Sequence, residues 1–223
     1  EDTLSLHDAL PIWGLPNCAL NFGEGRTKPE GTAGALGWIV GEVGQGLALM
    51  FQMMNEARIS VGLASAMIAY RGFLLSLGYA RDRCQGRLIG VRGGSQVPII
   101  MHPDVKRLLL VQKAIAEGGL ALVLYAARLQ DEVKTASTRQ AQSEAQALLD
   151  LLTPIVKSWP SEFGQVALSC AMQVLGGAGY TRDFEVELLY RDNRLNPIHE
   201  GTTGIQAVDL VVRKLRKEGG AAY

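Results

Sequence analysis

From residue 45 onward the apolar positions recur at steps of three and four. Leu47, Met50, Phe51, Met54, Ile59, Leu63, Met67, Tyr70, Leu74, Leu77 and Ala80 form one such stripe and predict a long amphipathic helix. Met50, Met53 and Met54 fit this reading as core filling. Basic residues and a glycine in Arg81-Asp82-Arg83-Cys84-Gln85-Gly86-Arg87 mark its end. Residues 86–94 read as a turn-rich loop. A second long helix is predicted after Pro103, with Asp104 in its first turn and a stripe of Val105, Leu108, Leu109, Val111, Ile115, Leu120, Leu124 and Leu129. Gly118 and Gly119 inside it lower helix propensity and point to close helix packing. Residues 132–144 are polar and poorly periodic, which predicts a mobile loop. A third helix is expected over about residues 145–158. Pro160 then marks a kink or a new first turn, and a fourth helix continues to Leu175. Short helical pieces follow at 185–192 and 203–217. The pattern predicts an all-α, up-and-down helical bundle of four long helices with a short terminal pair.

Ahead of residue 45 the texture differs. Glycine and proline break the apolar segments, and residues 18–22 and 35–40 can each form a strand of five or six residues. Two strands make no stable sheet alone, so residues 13–44 read as the tail of a β-domain. Residues 45–217 are then the helical domain and 218–223 a tail. Residues 1–12 resemble the translation of a sequencing adapter and are set aside; the natural protein is expected to begin upstream of Trp13.

The chain has 223 residues, 48% of them hydrophobic, enough for a substantial core. Its formal net charge is zero, which disfavours general nucleic-acid binding. Cys18, Cys84 and Cys170 form neither a metal spacing nor a disulfide framework, so a reducing, cytoplasmic location is expected. No metal is implied by the isolated histidines His7, His102 and His199. No uninterrupted apolar run reaches the roughly 18 to 20 residues that span a bilayer, so no membrane span is expected.

Candidate chemistry concentrates in the stretch from Arg191 to Gln206. Glu200 stands just ahead of a predicted helix that Thr202 or Thr203 can cap, and Gly201 lets the backbone approach a neighbour closely. Glu200 is either a solvated carboxylate at the positive end of a helix dipole or a general base beside a ligand. The base reading requires a dry pocket. Asn55 and Arg58, at i and i+3, share one helix face, either solvated or tied into a buried ion pair. Arg83 can be a helix C-terminal cation. Gly176-Gly177-Ala178-Gly179 has the look of a phosphate loop. It follows a helix rather than a strand, so the dinucleotide-fold fingerprint is rejected.

Taken in order, Asn55-x-x-Arg58, Tyr79-Ala80-x-x-Arg83, Ala171-x-Gln173-x-x-Gly176-Gly177-x-Gly179-Tyr180, Arg191-Asp192-x-Arg194 and Ile198-x-Glu200-Gly201-Thr202-x-x-Ile205-Gln206 resemble the C-terminal helical domain of the acyl-CoA dehydrogenases. The resemblance runs over about residues 14–215. Residues 200–210, with Arg213-Lys214-Leu215 and the entry Gly14-Leu15-Pro16-Asn17-Cys18, are similar to the 3-methylmercaptopropionyl-CoA dehydrogenase-like branch. Proteins of that branch usually carry a further C-terminal domain, so a fragment is expected.

The resemblance implies α,β-dehydrogenation of an acyl-CoA thioester, with Glu200 removing the α-proton and the β-hydrogen passing to FAD as hydride. It implies FAD contacts at Arg83, Gln85, Gln173, Gly177, Thr202 and Gly204, the first of these and the Gln173–Gly177 region reaching a neighbouring subunit's cofactor. It implies a substrate channel lined by Asn55, Arg58 and Gly201. Electrons would pass to an electron-transfer flavoprotein, and the protein would be a homodimer or homotetramer. Three departures stand out. Gln85-Gly86-Arg87 replaces the family's Thr-Phe-Gly, Gly204 replaces a flavin-bonding Gln, and Pro103 replaces another Gln. Some branches place the base on the first long helix, where Asn55 and Glu56 lie. Alternatives within the fold are an acyl-CoA oxidase, a nucleic-acid-associated homologue of the alkylation-response branch, and a helical scaffold without chemistry.

Overall fold

A computed structural model of the chain describes Phe22, Gly23, Gly25, Arg26 and residues 28–216. It divides into two compact units, Glu1–Met53 and Met54–Tyr223. The elements in chain order are α1 (Gly46–Asp82), α2 (Pro103–Thr135), α3 (Arg139–Leu175), α4 (Val186–Asn193) and α5 (Thr203–Val208), the last running on into a π-helical turn at Asp209–Lys214. Among the described residues there is no β-strand.

In the first unit the strand expected at 35–40 is not formed. One backbone hydrogen bond, from Ala35 N–H to the Phe22 carbonyl at 2.9 Å, joins it to the other expected strand. Pairing of two short segments is too little to hold a ladder. The rest of that second segment, the adapter-like residues 1–12 and the tail 218–223 lie outside the described residues.

The second unit is mainly helical. Three long helices run up, down and up, and their apolar stripes meet in three clusters along the bundle. Ile59 of α1 joins Val123 and Leu129 of α2 and Leu149 and Val156 of α3 at one end. Ala69, Ile115, Ala116 and Ala167 fill the middle. Phe73 and Ala80 meet Leu108, Leu109, Val174 and Leu175 at the other end. By length and composition α1 and α2 could each cross a membrane, although neither holds an uninterrupted apolar run. Their buried residues are those of the bundle core.

Among the described residues the long helices number three, not four, and the loop expected at 132–144 is only residues 136–138. The polar residues there belong to exposed helical faces. Arg128 Nε donates to Glu132 at 2.9 Å and Gln140 donates to Glu144 at 2.9 Å, both at i,i+4 spacing, which supports helix without an apolar stripe. Thr138 caps α3, its hydroxyl accepting the Ala141 N–H at 3.2 Å.

Pro154 and Pro160 lie inside α3 without ending it. Each removes one i→i−4 hydrogen bond. Pro160 frees the Val156 carbonyl, and that oxygen sits against Gly62 of α1, where a side-chain Cβ would collide with it. A Cα–H contact to the freed oxygen is available only because residue 62 is glycine. Gly119 is less constrained: a Cβ there would stand 3.5 Å from Ala66 and from Trp159, an ordinary van der Waals distance. Gly118 is exposed, and the nearest atom to a Cβ there is Trp159 at 3.8 Å, so the close packing expected of this glycine pair does not require glycine at either position.

Candidate functional site

The loop between α4 and α5 carries the candidate base. Thr202 caps α5, its hydroxyl accepting the Ile205 N–H at 3.5 Å, and the Thr203 N–H donates back to the Pro197 carbonyl at 3.2 Å. The chain reverses through two successive left-handed residues, Glu200 (φ 54°) and Gly201 (φ 91°). Glycine takes that conformation freely; a glutamate does so at a local cost of roughly 1 kcal/mol or more.

Beneath the loop lies a buried polar floor. Lys157 of α3, fully buried, donates from Nζ to the Gly201 carbonyl at 2.7 Å. Gln206 of α5 donates from Nε2 to the Glu200 carbonyl at 3.1 Å and to that of Gly201 at 3.3 Å. A Cβ at Gly201 would stand 2.7 Å from this nitrogen. Burial lowers the Lys157 ammonium to about 8, helped by the like charge of Arg58, while Glu162 and Glu200 act the other way. His199 is also pushed down, first by burial and then by Lys157. Its Nε2 lies 3.1 Å from Asn196 Oδ1. Asn193 ties the floor to α1 and α3, accepting from Ser65 at 2.7 Å and donating to Gln165 at 3.1 Å.

Of the predicted substrate-channel residues, Asn55 is half-buried. Arg58 is buried and paired with Asp209 at 3.0 Å, the ion-pair alternative that its spacing leaves open. Its Nε has no partner. Thr202 and Gly204 are exposed beside the loop. The Glu200 side chain is itself exposed. The dry surroundings expected of a base are not supplied by the described residues, because they pack under the loop backbone rather than over the carboxylate.

The remaining predicted residues gather at the other end of α1. Arg83, Gln85, Gly86, His102, Gln173 and Gly176 line a cavity of about 400 Å³. Its wall is fixed by a short antiparallel bridge at Cys84 and Pro98, by the Gln85 N–H donating to the Val97 carbonyl at 3.0 Å, and by His102 Nε2 at 2.8 Å from the Gln85 carbonyl oxygen. Among the described residues no carboxylate pairs with the Arg83 guanidinium. Gly177, next along from the cavity rim, is exposed with open space where a Cβ would be. An unpaired guanidinium, two carboxamides and bare glycine backbone suit an anionic nucleotide. The rise of α1 from Arg58, beside the Lys157 floor, to Asp82, next to this cavity, is 24 steps and separates the two by roughly 36 Å at 1.5 Å per residue.

Sequence reasoning missed Lys157, Asp209 and Asn193 as parts of the site. One signal was legible: Lys157 is a lone cation in the apolar stretch Ile155-Val156-Lys157 between two prolines.

Residues 44–215 match the family model described as acyl-CoA dehydrogenase, C-terminal domain. The chain is 42% identical over 186 residues to 3-methylmercaptopropionyl-CoA dehydrogenase of Ruegeria pomeroyi, covering 83% of this chain and 32% of that protein. It is 37% identical over 209 residues to the broad-specificity linear acyl-CoA dehydrogenase FadE5 of Mycobacterium tuberculosis, covering 92% and 33%. Among solved structures, Caenorhabditis elegans ACDH-11 in complex with C11-CoA superposes with a TM-score of 0.72 at 26% identity, over 84% of this chain and 30% of that one. The chain thus spans about a third of the length of these curated relatives.

Proposed function

This chain belongs to the acyl-CoA dehydrogenase family, and on that premise we propose that it is part of an FAD-dependent enzyme that desaturates an acyl-CoA thioester between its α and β carbons, with Glu200 as the base that takes the α-proton. The observation that carries this reading is the Glu200-Gly201 turn at the head of α5, whose backbone is anchored on buried Lys157 and Gln206. A turn held this firmly fixes where the carboxylate starts, which is what a base needs in order to meet one particular C–H bond.

The α-proton of a thioester is weakly acidic, so the carboxylate must gain basicity by leaving water. Glu200 is exposed among the described residues; the surfaces that dry it belong to the two thirds of the protein beyond this chain and to the bound substrate. FAD, when bound, supplies the acceptor for the β-hydrogen. Arg83 would hold its pyrophosphate by charge and Gln173 and Gly177 its adenine end, with Gln85 beside them and Thr202 and Gly204 near the flavin. Asn55 and Gly201 border the acyl channel, and Arg58 supports that wall through Asp209. Since Arg83 and the Glu200 loop are separated by most of the length of α1, one cofactor touching both needs two copies of the chain, as a homodimer or homotetramer. Reduced cofactor would pass its electrons to an electron-transfer flavoprotein.

In the full-length protein Glu200→Gln is expected to retain FAD, seen by its visible absorbance, and to lose acyl-CoA dehydrogenation by several orders of magnitude. Turnover near that of the unaltered protein would move the role to another residue.

A further inference from the structure

Lys157 has no carboxylate within ion-pair distance among the described residues, yet it is fully buried. Burying an ammonium is costly unless its charge is used. The charged groups around it are Arg58 from α1, Glu162 on its own helix, and Glu200 and His199 from the loop above. Its one hydrogen bond goes to a backbone carbonyl, that of Gly201. A neutral donor, Gln206, already serves the same oxygen, so satisfying that carbonyl does not by itself require a cation.

The loop's geometry gives the cation a use. Glu200 and Gly201 both hold positive φ, and the described chain has no cis peptide bond. In a trans peptide the N–H points opposite to the C=O. Drawing the Glu200 and Gly201 carbonyls down onto Gln206 and Lys157 therefore turns the N–H groups of Gly201 and Thr202 away from the floor. The charge-assisted bond at 2.7 Å is the shorter of the two anchors on Gly201. We infer, resting on the reading of Glu200 as the base, that Lys157 is a positioning residue which locks Glu200 in its left-handed conformation through the Gly201 carbonyl and so sets the aim of the carboxylate. The lowered Lys157 ammonium agrees with a buried cation whose only local anchor is a dipole.

The test uses the flavin-loaded full-length protein and its Lys157→Met, Glu200→Gln and double variants. Lys157→Met is expected to lower kcat by about ten- to a hundredfold with KM and FAD content within about twofold, and to speed backbone hydrogen exchange in residues 197–206 while the rest of α3 keeps its protection. Lys157→Arg, which keeps donor and charge, is expected to recover most of kcat. In the Glu200→Gln background Lys157→Met should add no further loss, since it acts through that carboxylate. Where Lys157→Met does not fold, Lys157→Gln is read by the same three measures. If kcat and loop exchange are unaltered in a folded Lys157 variant while Glu200→Gln is inactive, the positioning role is overturned and the assignment of the base stands. If Glu200→Gln is active, the base assignment itself has failed and the positioning role falls with it.

Discussion

At the scale of single residues, the site sets an exposed carboxylate, Glu200, on a loop whose backbone rests on a buried ammonium. Glu200 is placed by its immediate neighbours: Gly201 permits the reversal, and Thr202 starts the next helix. Lys157 reaches the same loop from 44 residues away in sequence, and its consequence is measurable as pH-dependent stability. Burial holds its ammonium at about 8, below the ordinary 10.5. Between these values the unfolded chain binds more protons than the folded one, so stability rises with pH across that window. At neutral pH the full penalty applies, at most on the order of 3 kcal/mol for a shift of this size. Urea unfolding of the unaltered protein and Lys157→Met from pH 7 to 10.5 checks this. The Met variant is expected to be the more stable at pH 7, with the gap closing toward pH 10.5. A gap independent of pH would show that burial does not lower this ammonium, the folded and unfolded chains then binding its proton equally.

At the scale of elements, α3 is the least conventional. Two prolines inside a 37-residue helix each leave a carbonyl without its helical donor. The Val156 oxygen freed by Pro160 is met by the backbone of Gly62. Gly62→Ala inserts a methyl into that contact, against a backbone atom that cannot rotate aside. Its expected cost is about 1–3 kcal/mol, in the range of core overpacking, read as a lower melting temperature. An unaltered melting temperature would mean that the helices part without penalty. The expected break at Pro160 and the expected loop at 132–144 err for one reason. Local signals report what a segment prefers alone, whereas a cap at Thr138, i,i+4 pairs and a glycine on the facing helix settle what it does in the bundle.

At the scale of the whole molecule, the separation of Arg83 from the Glu200 loop has a direct consequence for assembly. If each active site draws Glu200 from one copy and Arg83 from another, two separately defective chains complement each other. Differently tagged Glu200→Gln and Arg83→Ala chains, each in the full-length protein, are expected to be inactive or weakly active as homo-oligomers. Isolated as a mixed oligomer, they are expected to recover up to about half the activity of the unaltered protein, because one kind of site then contains neither change. No recovery in a mixed oligomer would place both residues in the same copy's site, or outside it altogether. The roughly 36 Å that motivates this follows from helix rise alone, so the separation is a property of α1 and does not depend on side-chain detail.

The amino-acid sequence by itself determined the helical class, the start and end of α1, a threonine cap on α5 at Thr202 or Thr203 and the ordered motifs by which the family is identified. These rest on short-range physics: period, propensity, caps and glycine conformations act within a few residues. Only the tertiary structure decided that α3 runs unbroken, that Arg58 pairs with Asp209 across 151 positions, that Lys157 and Gln206 anchor the Glu200 turn, and that the predicted cofactor residues divide between two ends of one helix. Each of these depends on which distant groups share a buried space, and on the cost of leaving a charge or a carbonyl there without a partner.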